Sequence, residues 1–348
     1  MHRSALLRTV LAVALTCIGL NIVWILWNRD QIGGWKYRYR SSYIHVTMFN
    51  ADLEKGVDKI NNHEIPDRSN VFKTRQRVVS HHCQFESKTM FQWQNASWRP
   101  DVKKYSHIYI DDEHKFLYCK VPKVACSNML RLMVGLRGIN DSFNLRPADF
   151  WPKSTALLGR LSLVPLEEVR QKLQHYTKFL IVRDPFERLY SAYRNKLGPK
   201  GQPQFFKSYG RPILKKFHRD WTPEKIKAGQ GVLFHEFLQS VLDGAENEHW
   251  KNYHDLCFPC EINYNIIGKF ETLEEDVNYF LKQVGGDAIT WPSRNSRYKM
   301  LPTSEVMREG FKNVTFDLAA KIAKLYRNDF GYFGYSPQTT FKLLSDQE

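Results

Sequence analysis

The sequence contains no GxxxxGK[ST] loop anywhere in its 348 residues, which argues against the nucleoside-triphosphate enzymes that depend on that loop. It also lacks the zinc-finger spacing, the aromatic RNP signature and the basic zipper by which nucleic-acid readers are recognised. No internal repeat of solenoid length is visible. Acidic residues are scarce: 36 Asp and Glu stand against 51 Lys and Arg, a net charge of +15. That balance points to a polyanionic partner, and without nucleic-acid motifs an acidic membrane surface or an acidic polysaccharide is left. Cysteine is sparse, six in all. Cys257-x-x-Cys260 has no second pair of ligands at zinc spacing, so disulfides in an oxidising compartment are the better reading. Five cysteines (83, 119, 126, 257 and 260) follow the N-terminal region, an odd number that leaves at least one free or intermolecular. Cys126 reads as a buried small residue rather than an activated thiol.

The chain is 43% hydrophobic and 14% aromatic, enough for a substantial core. Thr9 to Trp27 is an apolar run of 19 residues interrupted by Thr16, Gly19 and Asn21, with Trp24 and Trp27 suited to an interface. An uncleaved anchor is favoured over a cleaved signal peptide, because no small-residue cleavage site follows the run. Three sequons lie beyond it, at Asn95, Asn140 and Asn313. The organisation expected is a tail over 1–8, a transmembrane signal anchor over 9–27, a stem over 28–75 and a folded body over 76–340.

Within that body two stretches share one format. Phe116 to Val121 reads as a buried strand, Pro122 ends it, and from Ala125 apolar residues recur at helical spacing up to Gly138. Lys123 and Ser127 therefore stand at a helix N-terminus, where main-chain N–H groups and the helix dipole favour a phosphate or sulfate. About 60 residues on, Phe179 to Val182 is a second strand. It is followed by Arg183, by Asp184 as N-cap with Glu187 completing a capping box, and by a helix carrying Ser191 opposite its apolar face. Both turns fall at the carboxyl ends of strands, where open parallel sheets bind ligands. His107–Ile110 reads as an edge strand, 139–160 as loop, Ile262–Lys269 as a third strand and Ala319–Phe330 as the last helix. Strands alternating with helices predict an α/β fold with a mostly parallel central sheet. From Arg183 to Lys227 twelve Lys and Arg face four Asp and Glu, the most basic tract of the body.

Cys119-Lys-Val-Pro-Lys-Val-Ala-Cys-Ser-Asn128 and Arg183-Asp-Pro-Phe-Glu-Arg-Leu-Tyr-Ser-Ala-Tyr-Arg-Asn-Lys196 resemble the two nucleotide-binding motifs of the Golgi carbohydrate sulfotransferases, the family of the chondroitin and dermatan 4-O-sulfotransferases. Asn247-Glu-His-Trp250, Leu256-Cys-Phe-Pro-Cys260, Ile267-Gly-Lys-Phe-Glu271 and Asp329 to Tyr335 resemble further blocks, so the likeness spans roughly residues 70–336. Met129-Leu130 departs from the usual Trp-Lys of relatives. The resemblance implies a sulfotransferase fold related to nucleotide kinases. It implies 3′-phosphoadenosine-5′-phosphosulfate (PAPS) as donor, with no metal required. Carried over, Lys123, Ser127 and the amides over Val124, Ala125, Cys126 and Asn128 would hold the 5′-phosphosulfate; Arg183 and Ser191 would hold the 3′-phosphate. A lysine there would stabilise charge on the leaving oxygen. The acceptor hydroxyl needs a general base, and His249 is chosen among His175, His218, His235, His249 and His254 because it lies in a family-like block; Glu248 and Glu271 are alternatives. The expected acceptor is the 4-OH of N-acetylgalactosamine in chondroitin or dermatan, with terminal glucuronic acid or N-acetylgalactosamine of glycoprotein glycans as near alternatives. An inactive glycan-binding relative is the competing class. The expected setting is a single-pass type II Golgi membrane protein with a lumenal catalytic domain.

Overall fold

The computed structural model describes residues 67–86, 92–95, 97–286, 288–292 and 303–345. The span expected over 9–27 and most of the stem lie outside these residues. Among the described residues, no helix is long and apolar enough to cross a membrane.

Five strands form one sheet in the order β3-β1-β2-β4-β5. They are β1 (Ile108–Asp111), β2 (Phe116–Cys119), β3 (Gly159–Arg160), β4 (Thr177–Val182) and β5 (Ile266–Lys269). β2, β4 and β5 run parallel, whereas β1 is antiparallel to both β2 and β3. The sheet is therefore mixed, parallel in only two of its four pairings rather than mostly parallel. The cause is local: four residues separate Asp111 from its partner Phe116, and so short a link permits only an antiparallel return. Asp111 shapes that link by accepting N–H bonds from Glu113 (3.1 Å) and His114 (2.9 Å). β1 is not an edge strand, because β3 pairs outside it. The parallel core is built from short, fully apolar runs; Phe116 to Cys119 and Phe179 to Val182 are all buried.

Helices cover the sheet: α1 (Arg68–Glu86), α2 (Cys126–Leu136), α3 (Pro147–Leu157), α4 (Leu166–His175), α5 (Pro185–Lys196), α6 (Phe234–Leu242) and α7 (Leu273–Gln283). α3 replaces part of the loop expected over 139–160. Pro147 occupies its first turn, where no N–H is needed, so proline opens this helix instead of breaking it. The C-terminal region holds α8 (Thr303–Phe311), α9 (Phe316–Leu325), α10 (Arg327–Phe333) and α11 (Gln338–Ser345). The expected Ala319–Phe330 helix is thus two helices broken at Tyr326, and Gly334 (φ 63°) ends the second. One core surrounds the sheet. A second gathers the apolar face of α5 (Phe186, Leu189, Tyr190, Ala192) with α6, α8 and α9.

Two disulfides join Cys83 to Cys260 and Cys119 to Cys257. Cys257 and Cys260 therefore serve two different elements, β2 and α1, and Cys126 is the free cysteine among those described. They pin residues 253–262 between sheet and N-terminal helix. α1 is clamped further by Arg75, which donates to the Ile267 carbonyl (2.9 Å), to Thr272 Oγ1 (3.1 Å) and to the buried Asp276 carboxylate (2.7 Å). Asp276 also accepts the Lys269 N–H at 2.8 Å. Arg68 and Arg75, both within the stretch expected as stem, reach Asp276. Removing a buried carboxylate that holds a guanidinium is strongly destabilising, so Asp276→Ala is expected to lower unfolding free energy by about 3 kcal/mol. Chemical denaturation measures this, and a loss well under about 1 kcal/mol would mean that the α1 clamp is dispensable.

Candidate functional site

The carboxyl ends of β2, β4 and β5 open on the same side, and the turns that leave them meet. After β2 the chain passes through Lys123 (φ 74°) and Ala125 (φ 61°), both left-handed without being glycine, before α2 begins at Cys126. Such strain persists only where the surroundings hold it, and left-handed residues in a turn make a concave array of N–H groups suited to anions. Among the described residues, no main-chain acceptor meets the N–H groups of residues 123–127. Val124 is buried and fixes the turn to the core, Ala125, Cys126 and Asn128 are half-buried, and the Ser127 hydroxyl is exposed.

After β4, Arg183 is 4% exposed. Its Nε and Nη2 donate to Glu187 Oε2 (3.1 and 2.8 Å), its Nη1 donates to the Lys123 carbonyl (3.4 Å), and its guanidinium lies 4.2 Å from the ring centre of Phe270, just after β5. One residue thus ties all three strand ends. Asp184 caps α5 by accepting the Glu187 N–H at 3.0 Å, but the Glu187 carboxylate turns to Arg183, so only half of the expected capping box forms. Burial pushes the Asp184 carboxyl up to about 7. Ser191 stands on the half-exposed face of α5, and among the described residues no hydrogen bond links it to Arg183 or Lys123.

His249 comes to this site from a separate turn. Its Nδ1 lies 2.6 Å from Asn247 Oδ1. The carbonyl oxygen of that amide can only accept, so Nδ1 carries the proton and Nε2 keeps a lone pair. The ring meets Phe205 edge-on at 5.4 Å. Burial, followed by the charges of Lys196, Lys123, Lys120 and Arg188, pushes His249 down from 6.5 to about 3. Lys123 is lowered to about 8 by burial, then by Lys196, Arg183 and Arg194. Of the alternative bases, Glu248 is taken by Lys120 (3.4 Å) and lies near His107 (3.8 Å) in a cleft of about 600 Å³ that Lys104, Asn247, Lys251 and Asp255 also line. Glu271 is exposed and accepts from the Tyr335 hydroxyl at 2.9 Å. Among the described residues neither meets Lys123 in a hydrogen bond or ion pair, whereas the Lys123 charge acts on His249.

Three cations of the site are not singled out by motif reading. Lys120 sits inside the first stretch. Lys196 ends α5, is 7% exposed, donates to Gln202 Oε1 (3.1 Å) and lies over the Phe205 ring at 4.6 Å. Gly201 makes that turn possible, since a Cβ there would sit 2.5 Å from the Lys196 carbonyl oxygen. Arg188 is 2% exposed on the buried side of α5. A lysine at a helix end normally reads as solvated, and an arginine among apolar residues as snorkelling; only tertiary burial marks them. This crowd of cations depresses the basicity of its own members, and a dianion delivered to the 123–127 N–H groups would relieve it. The phosphosulfate of a nucleotide fits that need. The three sequon asparagines, Asn95, Asn140 and Asn313, are all exposed.

Comparison with known proteins agrees with this chemistry. A family model described as "Sulfotransferase family" matches residues 106–336. The chain is 33% identical to carbohydrate sulfotransferase 11 of Rattus norvegicus over 99% of its own length and 97% of the relative's. It is 38% identical to carbohydrate sulfotransferase 14 of Danio rerio over 67% of this chain and 64% of the relative. It is 36% identical to carbohydrate sulfotransferase 9 of Homo sapiens over 66% and 53%. No solved structure matches the chain.

Because Lys196 is the foremost charge acting on His249, Lys196→Met is expected to raise the His249 pKa above its value of about 3. An NMR titration of the ring measures it. An unmoved midpoint would show that Lys196 has no part in setting the basicity of His249.

Proposed function

The chain belongs to the sulfotransferase family, and from that membership we propose that it moves a sulfuryl group from PAPS to the 4-OH of N-acetylgalactosamine in chondroitin or dermatan. The observation that carries the donor side is the strained 123–127 turn, whose N–H groups meet no main-chain acceptor among the described residues, beside Lys123 and within a cluster of cations. When bound, PAPS supplies the activated sulfuryl group. Lys123 and the turn amides hold the phosphosulfate and stabilise charge that grows on the oxygen between phosphorus and sulfur. Arg183, with Ser191 further along α5, receives the 3′-phosphate. Arg183 starts from a pairing with Glu187, so that carboxylate must share or release it.

On the acceptor side, Nε2 of His249 takes the proton of the attacking hydroxyl while the sulfur–oxygen bond to the phosphate breaks. The products are a sulfate ester and 3′-phosphoadenosine 5′-phosphate. A bound dianion would raise His249 from about 3 towards its ordinary 6.5, where a general base works best. The acceptor reading is supported by relatives named as carbohydrate sulfotransferases and by the basic tract from Arg183 to Lys227, which would steer an acidic polysaccharide. The two disulfides support a lumenal body, and with the apolar run over 9–27 and the exposed sequons they fit a type II Golgi membrane protein.

The acceptor is tested by transfer of labelled sulfate to desulfated chondroitin, dermatan, glucuronic acid-ended glycans and N-acetylgalactosamine-bearing glycoproteins, with disaccharide analysis of the product. Labelled 4-sulfated N-acetylgalactosamine is expected. Product only on another acceptor would reassign the substrate, and glycan binding without any transfer would make the chain an inactive reader. Lys123→Ala is expected to reduce turnover by about 100-fold or more while folding and glycan binding persist. Arg183→Ala should chiefly raise the donor KM; near-normal kinetics in either variant would refute its role.

A further inference from the structure

Arg188 has an arrangement that neither donor binding nor proton transfer uses. It is one of the largest fully buried side chains, and no carboxylate lies within ion-pairing distance among the described residues. Its Nε donates to the Pro122 carbonyl (3.1 Å), its Nη1 to the Lys251 carbonyl (2.7 Å) and its Nη2 to the Glu248 carbonyl (3.3 Å). Its guanidinium lies 4.8 Å from the Tyr253 ring centre. The Tyr253 hydroxyl in turn accepts the Arg183 N–H at 2.8 Å, and the Asp329 carboxylate accepts the Tyr253 N–H at 3.0 Å.

The places of these acceptors in the chain matter. Pro122 directly precedes Lys123, and Glu248 directly precedes His249. The two segments lie more than 120 residues apart in sequence, and both end on one rigid fork. A buried charge without a counter-ion is costly, and main-chain carbonyls compensate it only in good geometry. A planar guanidinium meets three carbonyls from one centre, whereas an ammonium cannot reproduce that fork.

We propose that Arg188 is a positioning residue that holds the donor turn at Lys123 and the acceptor-side turn at His249 in one register, so that anion binding at the first is felt at the second. This rests on the donor and base roles proposed above. Misplacing reacting groups by about 1 Å costs about 100-fold in rate even when the change lies away from the chemistry. Donor affinity, by contrast, is spread over the turn amides, Lys123 and Arg183.

The test compares the full chain with Arg188→Lys and Arg188→Gln, using 3′-phosphoadenosine 5′-phosphate as the probe. Its Kd is read by calorimetry, the His249 pKa with and without it by NMR, folding by thermal melting, and kcat with the glycan acceptor. In the unsubstituted protein the probe is expected to raise the His249 pKa. In a folded Arg188 variant the probe's Kd should rise far less than kcat falls, the His249 shift should shrink, and kcat should fall by about 100-fold. A folded variant that keeps both the shift and kcat overturns the proposal. So does one that loses probe affinity and kcat in equal proportion, which would make Arg188 a plain donor ligand. If both variants fail to fold, its role is structural and the proposal is also overturned. Failure of the underlying reading looks different: the unsubstituted protein itself would neither bind the probe nor transfer sulfate.

Discussion

Lys123, Lys196, Lys120, Arg183, Arg188 and Arg194 crowd the end of a small sheet, and the residues they repel most are themselves and His249. Like charges at close range in a desolvated setting cost free energy that folding must offset elsewhere. Here the cost falls on Lys123 and His249, whose basicity drops, and on a turn with two left-handed non-glycine residues. Burial is the larger cause of both shifts and the neighbouring cations add to it, so a highly charged anion at this turn would offset that second part.

The rest of the molecule holds that cluster in place. The parallel trio β2, β4 and β5 delivers three chain turns to one edge, and Arg183 fastens them. The second core, around the apolar face of α5, brings Lys196 and Phe205 to His249. The Cys119–Cys257 bridge and the cap of Asp329 on Tyr253 fix the segment beside His249. Turns rich in polar groups would be mobile without such ties.

Much of this was legible in the residues themselves. Two strand-turn-helix stretches show as apolar runs that end at Pro122 and Asp184, because a strand must be apolar to be central and a helix must satisfy its first N–H groups. Lys123, Ser127 and Arg183 stand where those rules put an anion. The loop expected over 139–160 holds a helix instead, because Pro147 suits a first helical turn as well as a break and the periodic signal of α3 is weak. Similarly, Ala319 to Phe330 keeps helical spacing through a break that only the backbone at Tyr326 reveals.

What the sequence alone determined was the local pattern, namely which short segments become strands, where the turns that follow them begin and which family the motifs resemble. Tertiary structure decided how distant residues meet. That β1 lies inside the sheet depends on the two-residue strand Gly159–Arg160, too short to carry a pattern. That Cys257 and Cys260 serve different partners depends on a turn at Phe258. That Arg188 is buried and shared between the Lys123 and His249 turns depends on contacts more than 60 residues apart in sequence. Periodicity and composition report what a residue needs from its near neighbours; burial, charge crowding and shared carbonyls are properties of the packed whole.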